Sequence, residues 1–176
     1  MLELITPTTR LRDSWLDART EWGVGAHQDG SGLRSTDDVD TVAGFAAWVE
    51  WLSQQADESI PLPPDRVHAT YWWIVEDNVY LGAISLRHRL NDFLARAGGH
   101  IGYGVRPSAR RRGVATWAMG AVLAQARTHG LDRVLVTCDD ANIPSARTIE
   151  RHGGVLEDVR DTELGRTRRY WIDLST

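Results

Sequence analysis

Between Val105 and Thr116 the chain reads Val105-Arg106-Pro107-Ser108-Ala109-Arg110-Arg111-Arg112-Gly113-Val114-Ala115-Thr116. A proline stops one element, and an apolar segment of helical period begins just past a glycine. The predicted order is therefore strand end, loop, helix start. The first backbone N–H groups of a helix have no intrahelical partner and carry the positive end of its macrodipole. Gly113 leaves the main chain open to an anion, with no Cβ in the way. The spacing Arg110-x-x-Gly113-x-Ala115 suits a pyrophosphate, and it differs from both the P-loop and the GxGxxG fingerprint, which are absent. Taken alone, the arginine run also reads as a solvated loop. Its place between a strand and an amphipathic helix favours the anion site.

A second helix start follows at Asn142, a residue type suited to capping, with Pro144 in the first turn. Ser145, one turn in, faces the same side. Proton transfer near neutral pH needs a general base. A histidine, or a carboxylate acting through water, suits that task. His100 at a strand start and His88 past the preceding strand are the candidates, and an exposed histidine without a role is the alternative for each.

These residues need elements to position them. The spacing of Leu11, Trp15, Leu16 and Arg19 predicts a helix over about residues 9–22, closed by Gly23-Val24-Gly25. A second helix, capped by Asp37 or Asp38, carries Val42, Phe45, Ala46, Val49 and Leu52 on its apolar stripe. The Pro-rich stretch 59–64 is a loop. The period then changes to two: Ala69 to Val75 and Val79 to Leu86 predict a hairpin around Glu76-Asp77-Asn78. A polar excursion over 91–99 precedes a strand over 100–105. Then come a helix through Ala115, Ala118, Met119, Val122, Leu123 and Ala126, a strand over 133–138, and a short helix over 143–152. A closing hairpin, 155–159 with 169–174, turns at Leu164-Gly165-Arg166.

The length of 176 residues fits one domain, and 42% hydrophobic content supplies a core without staples. The net charge of −4 argues against a general nucleic-acid binder. One cysteine, Cys138, excludes an internal disulfide framework and a CxxC metal pair. No signal-like segment and no apolar run of ~20 residues occurs. A cytoplasmic protein with no membrane and no metal partner is expected. Every basic residue is arginine, and there are eight tryptophans.

The segments Ile101-Gly102-Tyr103-Gly104-Val105-Arg106-Pro107 through Thr116, and Cys138-Asp139-Asp140-Ala141-Asn142-Ile143-Pro144-Ser145 through Gly154, resemble the two acetyl-CoA motifs of the GNAT acyl-CoA N-acetyltransferases. The resemblance is specific over residues 100–160. It implies an α/β fold of mixed α+β type: a splayed, mostly antiparallel sheet of about six to seven strands flanked by about four helices. Residues 1–60 would form a helical acceptor side of the single domain 1–176. By the same resemblance, Gly104 and Val105 would pair with the pantetheine arm through their backbones. The amides of Arg111, Arg112, Gly113, Val114, Ala115 and Thr116 would hold the pyrophosphate, with Arg110 supplementing them. Asn142 and Ser145 would meet the pantetheine.

Many members carry a tyrosine seven residues after this asparagine to protonate the departing thiolate; here that position is Ile149. Tyr103 and Cys138 are the substitutes, although a lone buried cysteine is more often a small hydrophobe. His100 lies at or next to a position where many relatives carry an acid. Trp15, Trp48, Trp51, Trp72 and Trp73 are expected in the core, or in an aromatic-lined acceptor pocket.

The resemblance thus implies acetyl transfer from acetyl-CoA to the amine of a small molecule or peptide by direct attack, with a homodimer left open. A non-catalytic acyl-CoA-binding or sensor protein is the alternative. A nucleic-acid module using Arg106, Arg110, Arg111 and Arg112 is the third reading, disfavoured by net acidity.

Overall fold

The computed structural model describes residues 1–175. The elements run β1 (Leu2–Ile5), α1 (Arg12–Trp22), α2 (Val42–Gln54), β2 (Ala69–Glu76), β3 (Val79–Arg87), β4 (Ile101–Val105), α3 (Val114–Thr128), β5 (Arg133–Asp139), α4 (Ile143–Arg151), β6 (Val155–Thr162) and β7 (Gly165–Asp173), with short helical turns at Thr9–Leu11, Leu94–Gly98 and Pro107–Ala109. One seven-stranded sheet has the order β1-β2-β3-β4-β5-β7-β6. Its neighbours are antiparallel except β4 and β5.

Local chemistry explains most of these boundaries. Asp77 and Asn78, both at positive φ, close the β2–β3 hairpin with the primed-turn geometry that suits strand twist. Two starts differ from expectation. Thr41, not Asp37 or Asp38, caps α2: its hydroxyl oxygen accepts the Gly44 N–H at 3.0 Å, while Asp38 receives the Thr41 hydroxyl and Asp37 is tied to Arg34. The first strand was not expected either, because Glu3 and Pro7 interrupt its apolar pattern. It forms because residues 2–5 pair along β2, from Leu2 with Glu76 to Ile5 with Trp73.

The sheet is covered on both faces, which accounts for the two-sided apolar character of β2 and β3. One core lies under α3 and α4 and includes Ile84, Ile101, Met119, Val136 and Ile149. The other lies under α1 and α2. There Trp15, Phe45, Trp48 and Trp73 interlock at centroid distances of 5.0–6.1 Å.

Candidate functional site

The start of β4 pairs with the middle of β5 and the pairing goes no further. Ile101 is in register with Val136, and the His100 N–H donates to the Leu135 carbonyl at 2.7 Å. Beyond that point the two strands have no ladder partners in each other, so Gly102–Val105 and Thr137–Asp139 form the arms of a wedge. Unpaired strand edges facing one another leave backbone donors and acceptors for an extended ligand. Across the wedge the Tyr103 hydroxyl meets the Ser145 hydroxyl at 2.6 Å. Burial pushes the Tyr103 hydroxyl up to about 12, so it keeps its proton at neutral pH. Cys138 lies beside this pair; burial raises its thiol pKa, against a hydrogen bond with Ser145.

The outer end of β4 leads into the arginine loop. Arg111 (φ +63°) and Gly113 (φ +77°) are both left-handed, a backbone turn of the kind from which anion-binding nests are built. A side chain at Gly113 would meet nothing within 4 Å, so the first turn of α3 is open. The arginines divide their work. Arg110 Nε donates back to the Val105 carbonyl at 2.9 Å, and Arg112 pairs with Glu76 on β2. Arg106 pairs with Glu21 on α1. Arg111 remains exposed without a side-chain partner among the described residues. An anion at the first turn of α3 would therefore meet backbone amides, with Arg110 serving the loop itself.

On the β5 side, Asn142 caps α4: its side-chain oxygen accepts the Ser145 N–H at 3.2 Å. Asn142 is exposed, and its amide nitrogen has no hydrogen-bond partner among the described residues.

The family model of the acetyltransferase (GNAT) domain matches residues 12–155. The chain belongs to the GNAT acetyltransferase family. Comparison with curated protein sequences finds no match. Among solved structures, the chain is similar to Mycobacterium smegmatis RimJ in complex with CoA-disulfide (TM-score 0.73, 18% identity, covering 98% of this chain and 81% of that one). It is also similar to RimL, a ribosomal L7/L12 alpha-N-protein acetyltransferase, in complex with coenzyme A held as a cysteine disulfide (0.72, 16%, 99% and 94%). A third is the microcin C7 self-immunity acetyltransferase MccE with acetyl-CoA and AMP (0.69, 16%, 98% and 92%). At these identities the likeness is one of fold. The expected splayed, mostly antiparallel GNAT sheet is present.

Several GNAT expectations meet specific geometry. Ile149, at the tyrosine position, is fully buried in the core under α4. His100 is 5% exposed, and its Nδ1 accepts the Leu135 N–H at 2.9 Å. The ring is thus fixed as the Nε2–H tautomer with its one lone pair occupied, which argues against the expected role as a base. Burial, aided by nearby Arg87, lowers its pKa to about 4. His88 lies beyond the closed end of the wedge, bonded to Thr70 and Glu58. Trp15, Trp48 and Trp73 are core, so they line no pocket. Trp51 lies beneath Arg34, 3.8 Å from its ring centre, and Trp72 packs on the opposite sheet face.

Among the described residues no helix is long and apolar enough to cross a membrane, and no cluster of three metal-ligating side chains occurs. Sequence reasoning missed two contributors: Glu21, which reaches the arginine loop, and the loop after α1, which crosses β4. Neither carries a motif, because each acts through tertiary contact alone.

Proposed function

We propose that this chain transfers the acetyl group of acetyl-CoA to a primary amine of a small molecule or peptide by direct attack within the β4–β5 wedge. The observation that carries this reading is the Tyr103–Ser145 hydroxyl pair spanning a wedge that opens onto the amide cradle of α3. In this reading residues 100–160 serve the donor and residues 1–60 the acceptor side of one domain. The amides of Arg111, Arg112, Gly113, Val114, Ala115 and Thr116 hold the pyrophosphate, supported by the helix dipole. The free edge of Val105, with the Asn142 amide and Ser145, aligns the pantetheine arm, while Gly104 is held in register with Ala83 on β3. The bound donor supplies an activated thioester.

The chemistry then needs few groups. The neutral amine attacks the carbonyl carbon, the C–N bond forms and the C–S bond breaks. The proton shed by nitrogen ends on sulfur, directly or through Tyr103 and Ser145. Their hydroxyls donate to the charge developing on the departing thiolate. Cys138, kept protonated by burial, packs beside them as a small neutral neighbour. His100 closes the wedge instead of acting as base.

The test is a panel of amines with acetyl-CoA and a thiol-release readout, beside the melting temperature with coenzyme A. A ligand that binds only the folded state must raise that temperature. No shift at millimolar coenzyme A would overturn the reading. The buried Ile149 favours one alternative, a non-catalytic acyl-CoA-binding or sensor protein. Coenzyme A binding without thiol release from any amine would select it.

A further inference from the structure

The face of β4 turned toward α1 and α2 is roofed by the loop between those helices. A side-chain carbon at Gly30 would lie 2.4 Å from the Gly102 carbonyl oxygen, and one at Gly104 would lie 3.0 Å from the Asp29 carbonyl oxygen. Missing side chains let the two backbones approach this closely. A cation is held in the same place. Arg87, at the end of β3, has its guanidinium 3.3 Å from where a Gly102 side chain would begin.

One terminal nitrogen of Arg87 donates to the Gly98 and Gly99 carbonyls at 3.1 and 3.3 Å. Its Nε and its other terminal nitrogen have no hydrogen-bond partner among the described residues, and no carboxylate comes within 4.0 Å. Arg87 is half-buried, and these two nitrogens keep contact with solvent, whereas the buried Arg106 has Glu21 and the buried Arg169 has Glu157 and Asp158. The acidic groups that act on Arg87 are the Tyr71 phenol and, after it, Asp29, whose Oδ1 is engaged by His27 at 2.9 Å. The roofing loop also contains Gln28, 4% exposed, with neither side-chain oxygen nor nitrogen bonded.

A guanidinium partly withdrawn from water without a counter-charge is costly, and so is the unpartnered Gln28 amide buried in the loop. The first cost falls if an anion completes the site. Two residues along an extended strand span about 7 Å. That is the reach from Gly102 to the wedge mouth at Gly104, and it matches an amine and a carboxylate separated by a few methylene groups. We propose that Arg87 receives a carboxylate carried by the acceptor, so that the enzyme selects amino carboxylates over neutral amines. This deepens the acetyl-transfer reading and rests on it for the role of the amine.

The test is calorimetric binding, in the presence of coenzyme A, of the ω-amino carboxylates from glycine to 6-aminohexanoate and of their carboxamides. The wild-type protein should bind at least one carboxylate roughly tenfold or more tighter than its carboxamide, the scale of one charge-assisted hydrogen bond. Arg87→Gln should erase the difference, and Arg87→Lys, which retains the charge, should keep part of it. Equal or absent binding of the two series by wild type overturns the proposal without recourse to any variant. So does a preference that survives in folded Arg87→Gln. Acetyl transfer measured on the same series separates the two readings. A carboxylate preference lost in Arg87→Gln but unaccompanied by transfer supports the anion site and sinks the transferase assignment.

Discussion

Glu21 on α1 accepts from Arg106 Nε at 3.0 Å, and so joins the N-terminal helices to the loop that leaves β4. Its other oxygen accepts the Ser108 N–H at 3.0 Å, while Arg106 donates onward to the Tyr80 carbonyl at 3.0 Å. One carboxylate thus fixes both the exit of β4 and the first turn of the loop that, on the proposed reading, presents its amides to a pyrophosphate. The Arg106 hydrogen bonds, with those from Ser108, lower its pKa to about 2.

The stability consequence has a definite sign. The folded pKa lies below the unfolded value, so the contribution is present above about pH 4.5 and is lost as pH falls toward 2. Solvent access to the pair reduces its worth to about 1–2 kcal/mol. Glu21→Gln should lower stability at pH 7 by that amount and flatten the acid limb of a denaturant series between pH 4.5 and 2. It should also weaken coenzyme A binding, because Ser108 and Arg106 lose their common anchor. Wild-type coenzyme A affinity in a destabilised Glu21→Gln protein would separate the latch from the cradle.

Gly113 tests the cradle directly. Its surroundings are open, so Gly113→Glu meets no clash. The left-handed φ of +77° costs a non-glycine residue about 1 kcal/mol. The fold should survive while coenzyme A binding is lost, because bulk and negative charge enter the pyrophosphate position. Gly113→Ala should show the backbone cost with a smaller loss of affinity. Circular dichroism and calorimetry on both variants check this; unchanged affinity in Gly113→Glu would remove the cradle from the site.

Tyr103→Phe deletes one hydroxyl of the pair across the wedge and leaves the ring packing. Turnover should fall about 10²-fold, the scale of one donor to developing charge, with little change in coenzyme A affinity. Since the hydroxyl holds its proton up to about 12, no alkaline limb at ordinary assay pH should arise from Tyr103. A Tyr103→Phe rate near wild type would transfer the role to Ser145 alone or to solvent.

The sequence made the donor half of the molecule legible because local rules govern it: a proline and glycine bounding a helix start, an asparagine cap, and periods of two and 3.6. Gly113 at the start of α3 and Asn142 capping α4 follow from such rules. The acceptor half depends on contacts across 60 or more positions, such as Ser14 to Tyr80 and Glu21 to Arg106, which no local pattern encodes. His100 illustrates the limit. A histidine at a strand start has one local reading as a reactive group and another as a structural one. Only the approach of Leu135 from a strand 35 positions away decides between them.

His100 gives the last prediction. Its folded pKa of about 4 lies below the unfolded 6.5 because burial and the nearby Arg87 charge disfavour protonation. Between those values the unfolded chain binds a proton that the folded chain refuses. The stabilisation is therefore complete above pH 6.5 and is lost as pH falls toward 4, by up to about 3 kcal/mol. His100→Gln, whose side-chain oxygen can accept the Leu135 N–H, should keep the wedge closed and remove that pH dependence. If His100 were the amine's base, the same variant would lose roughly 10²–10⁴-fold in turnover, and the wild-type rate would fall through the histidine range. With its lone pair committed to Leu135, turnover in His100→Gln should stay near wild type at pH 8, and wild-type rates should follow the pKa of each amine. A variant that retains its melting temperature and coenzyme A affinity but loses turnover by that factor would restore His100 as the base.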